Sequence, residues 1–333
     1  MSGGVTRATR ASNIGLALAL ACLAALAFAP FWAGRDGMRL LIDAYLYLVL
    51  ASLWNLLAGY AGLVSVGQQA FVGLGGYVLF GLATLAGVPP LLCIPIAGIV
   101  AAFVAIPVAA ITFRLRGAYF AIGSWVMAEV FRLVASQISA LGGGSGISLP
   151  AGIVTGMAAS RHGREILVYW VALGLTVAIL GGIVALLRSR HGLALTALRD
   201  NEMAARSNGI DVRRTKLVVF ILVAAGTAMA GALIFLQRLR ISPDAGFSVN
   251  DWTAFVIFIT VIGGIGRFEG PFVGVVVFFA LRETLADLGS LYLMILGAIA
   301  ILVMLKAPRG LFGFLAERTD IQVLPLQRRV RGV

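Results

Sequence analysis

The sequence predicts an all-α integral membrane protein with about ten transmembrane helices, and three observations predict it. The chain of 333 residues is 60% hydrophobic and only 12% charged, with a mean hydropathy of +1.00. A soluble domain of that length needs far more polar surface. Charge is also missing in blocks. Between Asp43 and Arg114 lie 70 consecutive residues without Asp, Glu, Lys, Arg or His, and further uncharged runs cover Ile14–Gly34, Ile166–Leu187, Leu217–Gln237 and Leu288–Leu305. One crossing needs about 20 apolar residues. Inside lipid each backbone N–H and C=O must be satisfied within its own segment, which makes these runs helices. The short alternating strands of a membrane β-barrel do not occur in the sequence.

Spans are expected near 13–34, 38–58, 63–86, 89–113, 117–137, 165–187, 216–238, 251–266, 271–288 and 290–306 of one membrane domain covering 1–333. Arg7 and Arg10 followed by Ile14–Ala29 resemble a secretory signal, with Ala25-Leu26-Ala27 as a cleavage-like triplet. The apolar run continues through Phe31 and Trp32, long for a signal, so a retained first span is expected. Gly59-Tyr60-Ala61-Gly62 and Gly87-Val88-Pro89-Pro90 supply the breaks around the third span. The third, eighth and ninth spans are short or glycine-rich, which marks them as candidates for broken or re-entrant segments. The connection from Ile138 to Glu165, with Leu141-Gly142-Gly143-Gly144-Ser145-Gly146-Ile147 and Pro150, reads as a flexible surface loop. Residues 189–215 are expected to form the longest cytoplasmic connection between spans, and 315–333 a cytoplasmic tail.

Counting cations orients these spans. With both termini cytoplasmic, 18 of the 26 Lys and Arg residues fall inside, from Arg7 and Arg10 to Arg328, Arg329 and Arg331, and 8 fall outside or near outer helix ends. Positive loops favour the inner side, and the formal charge of +12 is thereby accounted for. No basic face with interleaved aromatics points to nucleic acid. Cys22 and Cys93 lie in apolar runs and read as small hydrophobes; His162 and His191 sit in polar connections. No metal-ligand spacing and no Ser/His/Asp arrangement is present. A phosphate-binding loop needs a Lys after a glycine-rich turn, and neither Lys216 nor Lys306 follows one.

The inner connection carries the most information. Leu193–Asp211 reads as one short amphipathic helix with Gly209 at its C′ position. Ala197, Leu198, Ala204 and Ala205 fall on one face, while Arg199, Asp200, Glu202 and Arg206 enrich the rest. On spacing alone two roles stay open: docking into a partner's groove or resting on the membrane interface.

The residues of this segment resemble a family. Gly192–Lys216, with Ala197-Leu198-Arg199-Asp200-Asn201-Glu202, Ala204-Ala205, Gly209-Ile210 and Thr215-Lys216, is similar to the cytoplasmic signature of branched-chain amino acid ABC transporter permeases, closest to their LivM branch. Gly59–Gly67 with Ala70-Phe71 resembles that family's early motif and Arg114–Ile122 its mid-chain motif. Gly263-Gly264-Ile265-Gly266 with Gly270-Pro271 and Gly274 resembles its late motif, and Pro308–Gly313 its C-terminal one. The resemblance covers about residues 40 to 314. It departs at Gln68, where the family commonly has His, at Leu141 before the outer glycines, and at Asp251-Trp252-Thr253.

The resemblance implies a permease bundle like that of type II ABC importers in a bacterial inner membrane. It implies pairing with a second, LivH-like permease, two cytoplasmic LivG/LivF-like ATPases, and delivery by a periplasmic substrate-binding protein. ATP would be used by the partner subunits, with no cofactor bound by this chain. Ala197, Leu198, Arg199, Asp200, Glu202, Ala204, Ala205 and Gly209 would then couple to the ATPases. Asn55, Gln68 and Gln69 are uncharged polar groups at span depth, candidates for a pathway lining suited to a zwitterion, although interhelical hydrogen bonding is their common role. Glu129 and Arg132, spaced i,i+3, are either a structural ion pair or a gate. Glu283 and Asp287 read as solvated outer residues.

Overall fold

In the computed structural model the described residues are 5–6, 21–158, 160–285, 289, 291–307, 310–319 and 329–330, with backbone alone described for residues 5–6, 200, 315–319 and 329–330. Arg7, Arg10, the start of the expected first span, Asp287, Pro308, Arg309, Arg328 and Arg331 lie outside them, as does the Asp200 side chain.

Residues 21–27, the described part of the expected first span, are helical and lead through one helical turn at Ala29–Trp32 to α1, Arg35–Asn55, which runs on without interruption into a π-turn at Leu56–Tyr60. An extended segment leads to α2, Gln69–Leu85, followed by α3, Pro90–Thr112, and α4, Ala118–Gln137. A short helix α5, Ala151–Met157, precedes α6, Arg161–Arg188. The hairpin of α7, Arg190–Asp200, and α8, Glu202–Ser207, leads into α9, Val212–Arg238. A single-turn helix α10, Pro243–Gly246, and a π-turn at Asn250–Ala254 introduce α11, Phe255–Gly263; α12, Gly270–Leu285, α13, Leu291–Lys306, and α14, Gly310–Thr319, complete the order.

Among the described residues, seven stretches are long and apolar enough to cross a membrane: Arg35–Tyr60, α3, α4, α6, α9, Pro243–Gly263 and the one that starts with α13. α2, with 17 residues, and α12, with 16, are shorter. At 1.5 Å per residue they reach about 26 and 24 Å, less than the hydrocarbon core. Non-helical backbone at that depth is tolerated only when protein satisfies it. The segment ahead of α2 meets this condition: Trp54 Nε1 donates to the Ser65 carbonyl at 2.8 Å, the Val66 N–H to Ser124 Oγ at 2.9 Å, and the Gly67 N–H to Ser65 Oγ at 3.1 Å.

α1 and α9 are the most buried spans, whereas α4 and α13 lie at the periphery. α9 crosses α2 backbone to backbone. A Cβ at Gly75 would collide with the Ala228 carbonyl, and one at Gly231 with the carbonyl of Val72. Small residues permit this approach, and close packing holds helices together where lipid offers no hydrophobic drive.

The connection between α4 and α6 is more ordered than the flexible loop its glycines suggest. Two 3₁₀ turns carry left-handed Gly142 at φ 83° and Gly143 at φ 54°. Ile147–Ser148 then pairs antiparallel with Arg240–Ile241. The glycines serve close approach as well as turning, since a Cβ at Gly146 would strike the Ile241 carbonyl.

Candidate functional site

The inner connection is two helices and not one. Asn201 adopts an extended backbone, φ −161° and ψ 109°, and its Oδ1 accepts the Ala204 N–H at 3.0 Å, capping α8. Asn competes with the helix for its own backbone bonds and so favours caps over interiors. Ser189 caps α7 by accepting from the His191 N–H at 3.1 Å, and Asp211 caps α9 by accepting from Arg214 N at 3.0 Å. Gly209, at φ 81°, ends α8 in a Schellman turn: the Ile210 N–H bonds the Ala205 carbonyl at 3.1 Å and the Gly209 N–H the Arg206 carbonyl at 2.9 Å.

The break reassigns the apolar face. Leu198, Ala205 and Val212 are buried together, with Ala197 and Ile210 packed on them. Leu198 and Ala205 therefore hold α7, α8 and the start of α9 to each other, and neither is on the surface. Ala204 is exposed. Met203, which the single-helix reading passes over, is 76% exposed. Once Asn201 is recognised as a cap, Met203 lies about 200° around a six-residue helix from buried Ala205, and that spacing is the signal that points to it.

Glu202 bolts this hairpin to α9. Its carboxylate takes Lys216 Nζ at 2.8 Å and Arg206 NH2 at 2.8 Å. The Lys216 ammonium, helped by Arg206, holds the Glu202 carboxyl below the usual carboxylate range. A carboxylate in the first turn also complements the helix dipole.

α7 packs on the π-turn of α1, and Arg199 lies beside Gly266 and the Tyr60 phenol. Asn55 closes the same junction. Its Nδ2 donates to the Arg267 carbonyl at 2.7 Å, and its Oδ1 accepts the Gly266 N–H at 2.7 Å. A Cβ on Gly59 would lie 2.5 Å from the Gly266 nitrogen and 2.6 Å from Asn55 Oδ1, and one on Gly310 would strike Gly264. Gly59, Arg199, Gly263–Gly266 and Gly310, far apart in sequence, thus meet at one end of the bundle. Asn55 clamps this junction with both ends of its amide engaged.

The remaining polar candidates lie elsewhere. Gln68 is buried; its Nε2 donates to the Leu50 carbonyl at 3.0 Å and to Thr227 Oγ1 at 3.4 Å, while Oε1 has no protein partner. It borders a void of about 10 Å³ lined by Trp54, Ser65 and Thr227. Gln69 is buried as well, and its Oε1 accepts the Thr253 hydroxyl. Glu129 and Arg132 form an ion pair at 2.5 Å that extends to Asp244 at 2.9 Å, tying the end of α4 to α10. This triad is half exposed, at the opposite end of the bundle from the Asn55 junction, and exposed pairs contribute less than about 1 kcal/mol. Among the described residues no group of His, Cys, Asp and Glu could hold a metal ion.

Residues 38–304 match the family model described as the permease component of a branched-chain amino acid transport system. The chain is 32% identical over 323 residues to the high-affinity branched-chain amino acid transport system permease protein LivM of Escherichia coli, covering 90% of this chain and 76% of that protein. It is 31% identical over 304 residues to LivM of Salmonella typhimurium, covering 85% and 71%. A shorter similarity, 33% over 125 residues, links 36% of the chain to 39% of the ribose import permease protein RbsC of Bacillus subtilis. No solved structure matches the chain. A family match over residues 38–304, with relatives 31–32% identical over most of the chain, shows that the chain belongs to the branched-chain amino acid transport permease family.

Proposed function

We propose that this chain is the membrane-embedded permease of an ABC importer that carries branched-chain or related amino acids into the cytoplasm. It works beside a second permease, with one of two ATPases docked on α7–α8, the other on the second permease, and a periplasmic binding protein delivering substrate at the far end. ATP is hydrolysed by those partners: the chain's two lysines follow no glycine-rich loop. Both termini and α7–α8 are then cytoplasmic, in keeping with the cation count.

One observation carries this reading. A short hairpin presents Met203, Ala204 and Arg206 outward while Leu198, Ala205 and Glu202 bind it to α9 and Arg199 lodges it against the α1–α12 junction. A force applied to α8 reaches the π-turns and short helices of the bundle through packed backbone. Two packings of such a junction, one favoured by each state of the ATPase pair, give alternating access by differential contacts.

The direct test is cross-linking. Met203→Cys in the otherwise intact complex should form a cross-link to an ATPase subunit whose yield changes on adding ATP. A Met203→Cys chain that remains reactive to a soluble maleimide and never captures an ATPase contradicts the docking.

A further inference from the structure

At the end of the bundle away from α7–α8, the N-termini of α1 and α6 and the C-terminus of α9 enclose a pocket of about 260 Å³. Arg39, Arg161, Arg164 and Arg238 line it together with a single carboxylate, Glu165. Arg35 joins the cluster by approaching Glu165 at 3.7 Å, beside Arg39 at 3.1 Å and Arg161 at 3.5 Å. Glu165 thus answers three guanidinium groups alone. Arg238 also faces Asp43 and stacks over Trp252 at 4.9 Å. In the lining itself four guanidinium groups stand against one carboxylate, an excess of three positive charges.

The placement is unusual on physical grounds. By the cation count above, only eight Lys and Arg residues belong to this side of the membrane, and five of them converge here. Cations at this end oppose the orientation rule. Two helix N-termini, of α6 with 28 residues and capped by Ser160 and of α1 with 21 and beginning at Gly34, outweigh the one C-terminus of α9. Unlike a surface ion-pair cluster, the pocket also has an apolar floor, Met38, Ile42, Val168 and Leu236, all buried between α1, α6 and α9. A cationic mouth over a dry floor strengthens the attraction for an anionic head held at the end of the bundle.

We propose that this pocket binds a monoanionic phosphodiester, the class presented by the headgroup of an anionic phospholipid. Basic pockets between transmembrane helices hold such headgroups on the cytoplasmic side, and the same charge chemistry is available at this end; each Lys or Arg near an anionic membrane surface is worth roughly fivefold. Arg164 is the most informative position, because no ion pair to Glu165 or any other carboxylate is formed by it in this structure among those described.

The test is native mass spectrometry of the full chain, purified with whatever subunits accompany it and titrated with phosphatidylglycerol or zwitterionic phosphatidylcholine. Phosphatidylglycerol should be retained preferentially. Arg164→Gln should weaken that retention at least fivefold, Arg164→Lys should keep it within about twofold, and Arg240→Gln, outside the pocket, should leave it unchanged. Displacement of the lipid by millimolar inorganic phosphate would keep the anion site and assign it to a soluble anion. Equal retention of the two lipids, or undiminished retention in Arg164→Gln when the protein is folded, overturns the proposal. So does a loss of binding-protein-stimulated ATPase activity in Arg164→Gln with lipid retention unchanged, which would make the cluster a protein-docking face. Thermal melting of each variant separates these results from misfolding.

Discussion

Gly59→Ala probes the junction between the hairpin and the bundle with a single methyl group. That methyl would sit 2.5 Å from the Gly266 nitrogen and 2.7 Å from its Cα, where ordinary contact begins at 3.4 Å. Neither neighbour is the end of a flexible side chain, so the Gly266 loop must retreat by about 0.9 Å. Both Asn55 bonds, 2.7 Å long, would then stretch to about 3.6 Å, beyond hydrogen-bonding distance. Overpacking costs about 1–3 kcal/mol, and leaving the buried amide unsatisfied about 1–3 kcal/mol more. Because the junction is only partly buried, the expected loss is about 2–4 kcal/mol. Melting of the detergent-purified complex, followed by size-exclusion chromatography, should shift downward. Uptake into ATP-loaded proteoliposomes should fall at least tenfold while membrane insertion persists. Should the variant aggregate, Asn55→Leu removes the same two bonds without the added bulk and should show the same uptake defect. Wild-type melting and uptake in both variants would refute the assignment of this junction.

Three further outcomes are expected. Met203→Glu should abolish ATP-coupled uptake without moving the melting temperature, because a 76% exposed side chain gives up little packing; Leu198→Ala should lower melting by about 2–3 kcal/mol of stability, the cost of truncating a buried leucine. The Glu202 carboxyl is lowered by Lys216, so the pair's contribution is present above the unfolded value of about 4.3 and is lost as pH falls through the lowered folded value. Thermostability at neutral pH should therefore drop slightly in Glu202→Gln, by less than about 1 kcal/mol given the exposure, and the difference from wild type should vanish in strong acid. Gly75→Val, which drives a side chain into the Ala228 backbone, should prevent folding, whereas Gly81→Ala, with only an ordinary contact to Leu141 at 3.7 Å, should be tolerated.

The helices were legible because lipid imposes a simple rule: a run with no charge has to satisfy its own backbone. The span expected at 216–238 and α9 at Val212–Arg238 differ only at the polar end, where Asp211 provides a cap. Three features were not legible, the first because a local cap outweighs propensity and the other two because the deciding interaction is long-range. The break at Asn201 depends on a side-chain cap that competes with good local helix formers. The extended approach to α2 is stable only because Trp54 and Ser124 reach it from other elements. The pairing of Ile147–Ser148 with Arg240–Ile241 joins residues almost a hundred positions apart. The polar candidates divide in the same way. Asn55 and Gln69 are conspicuous as amides in an apolar run, but only the fold shows that Asn55 holds the Gly266 loop and that Gln69 meets Thr253. Arg199 and Gly266, unremarkable apart, become neighbours once α7 is laid on the π-turn.

The most direct measurement is uphill uptake in proteoliposomes, comparing this chain alone with the chain assembled with its second permease, both ATPases and the binding protein. Accumulation of a branched-chain amino acid only in the full assembly, only with ATP inside accessible to the ATPases, and lost on adding Met203→Glu is the predicted result. Concentrative uptake by the isolated chain driven by a proton or sodium gradient would contradict it.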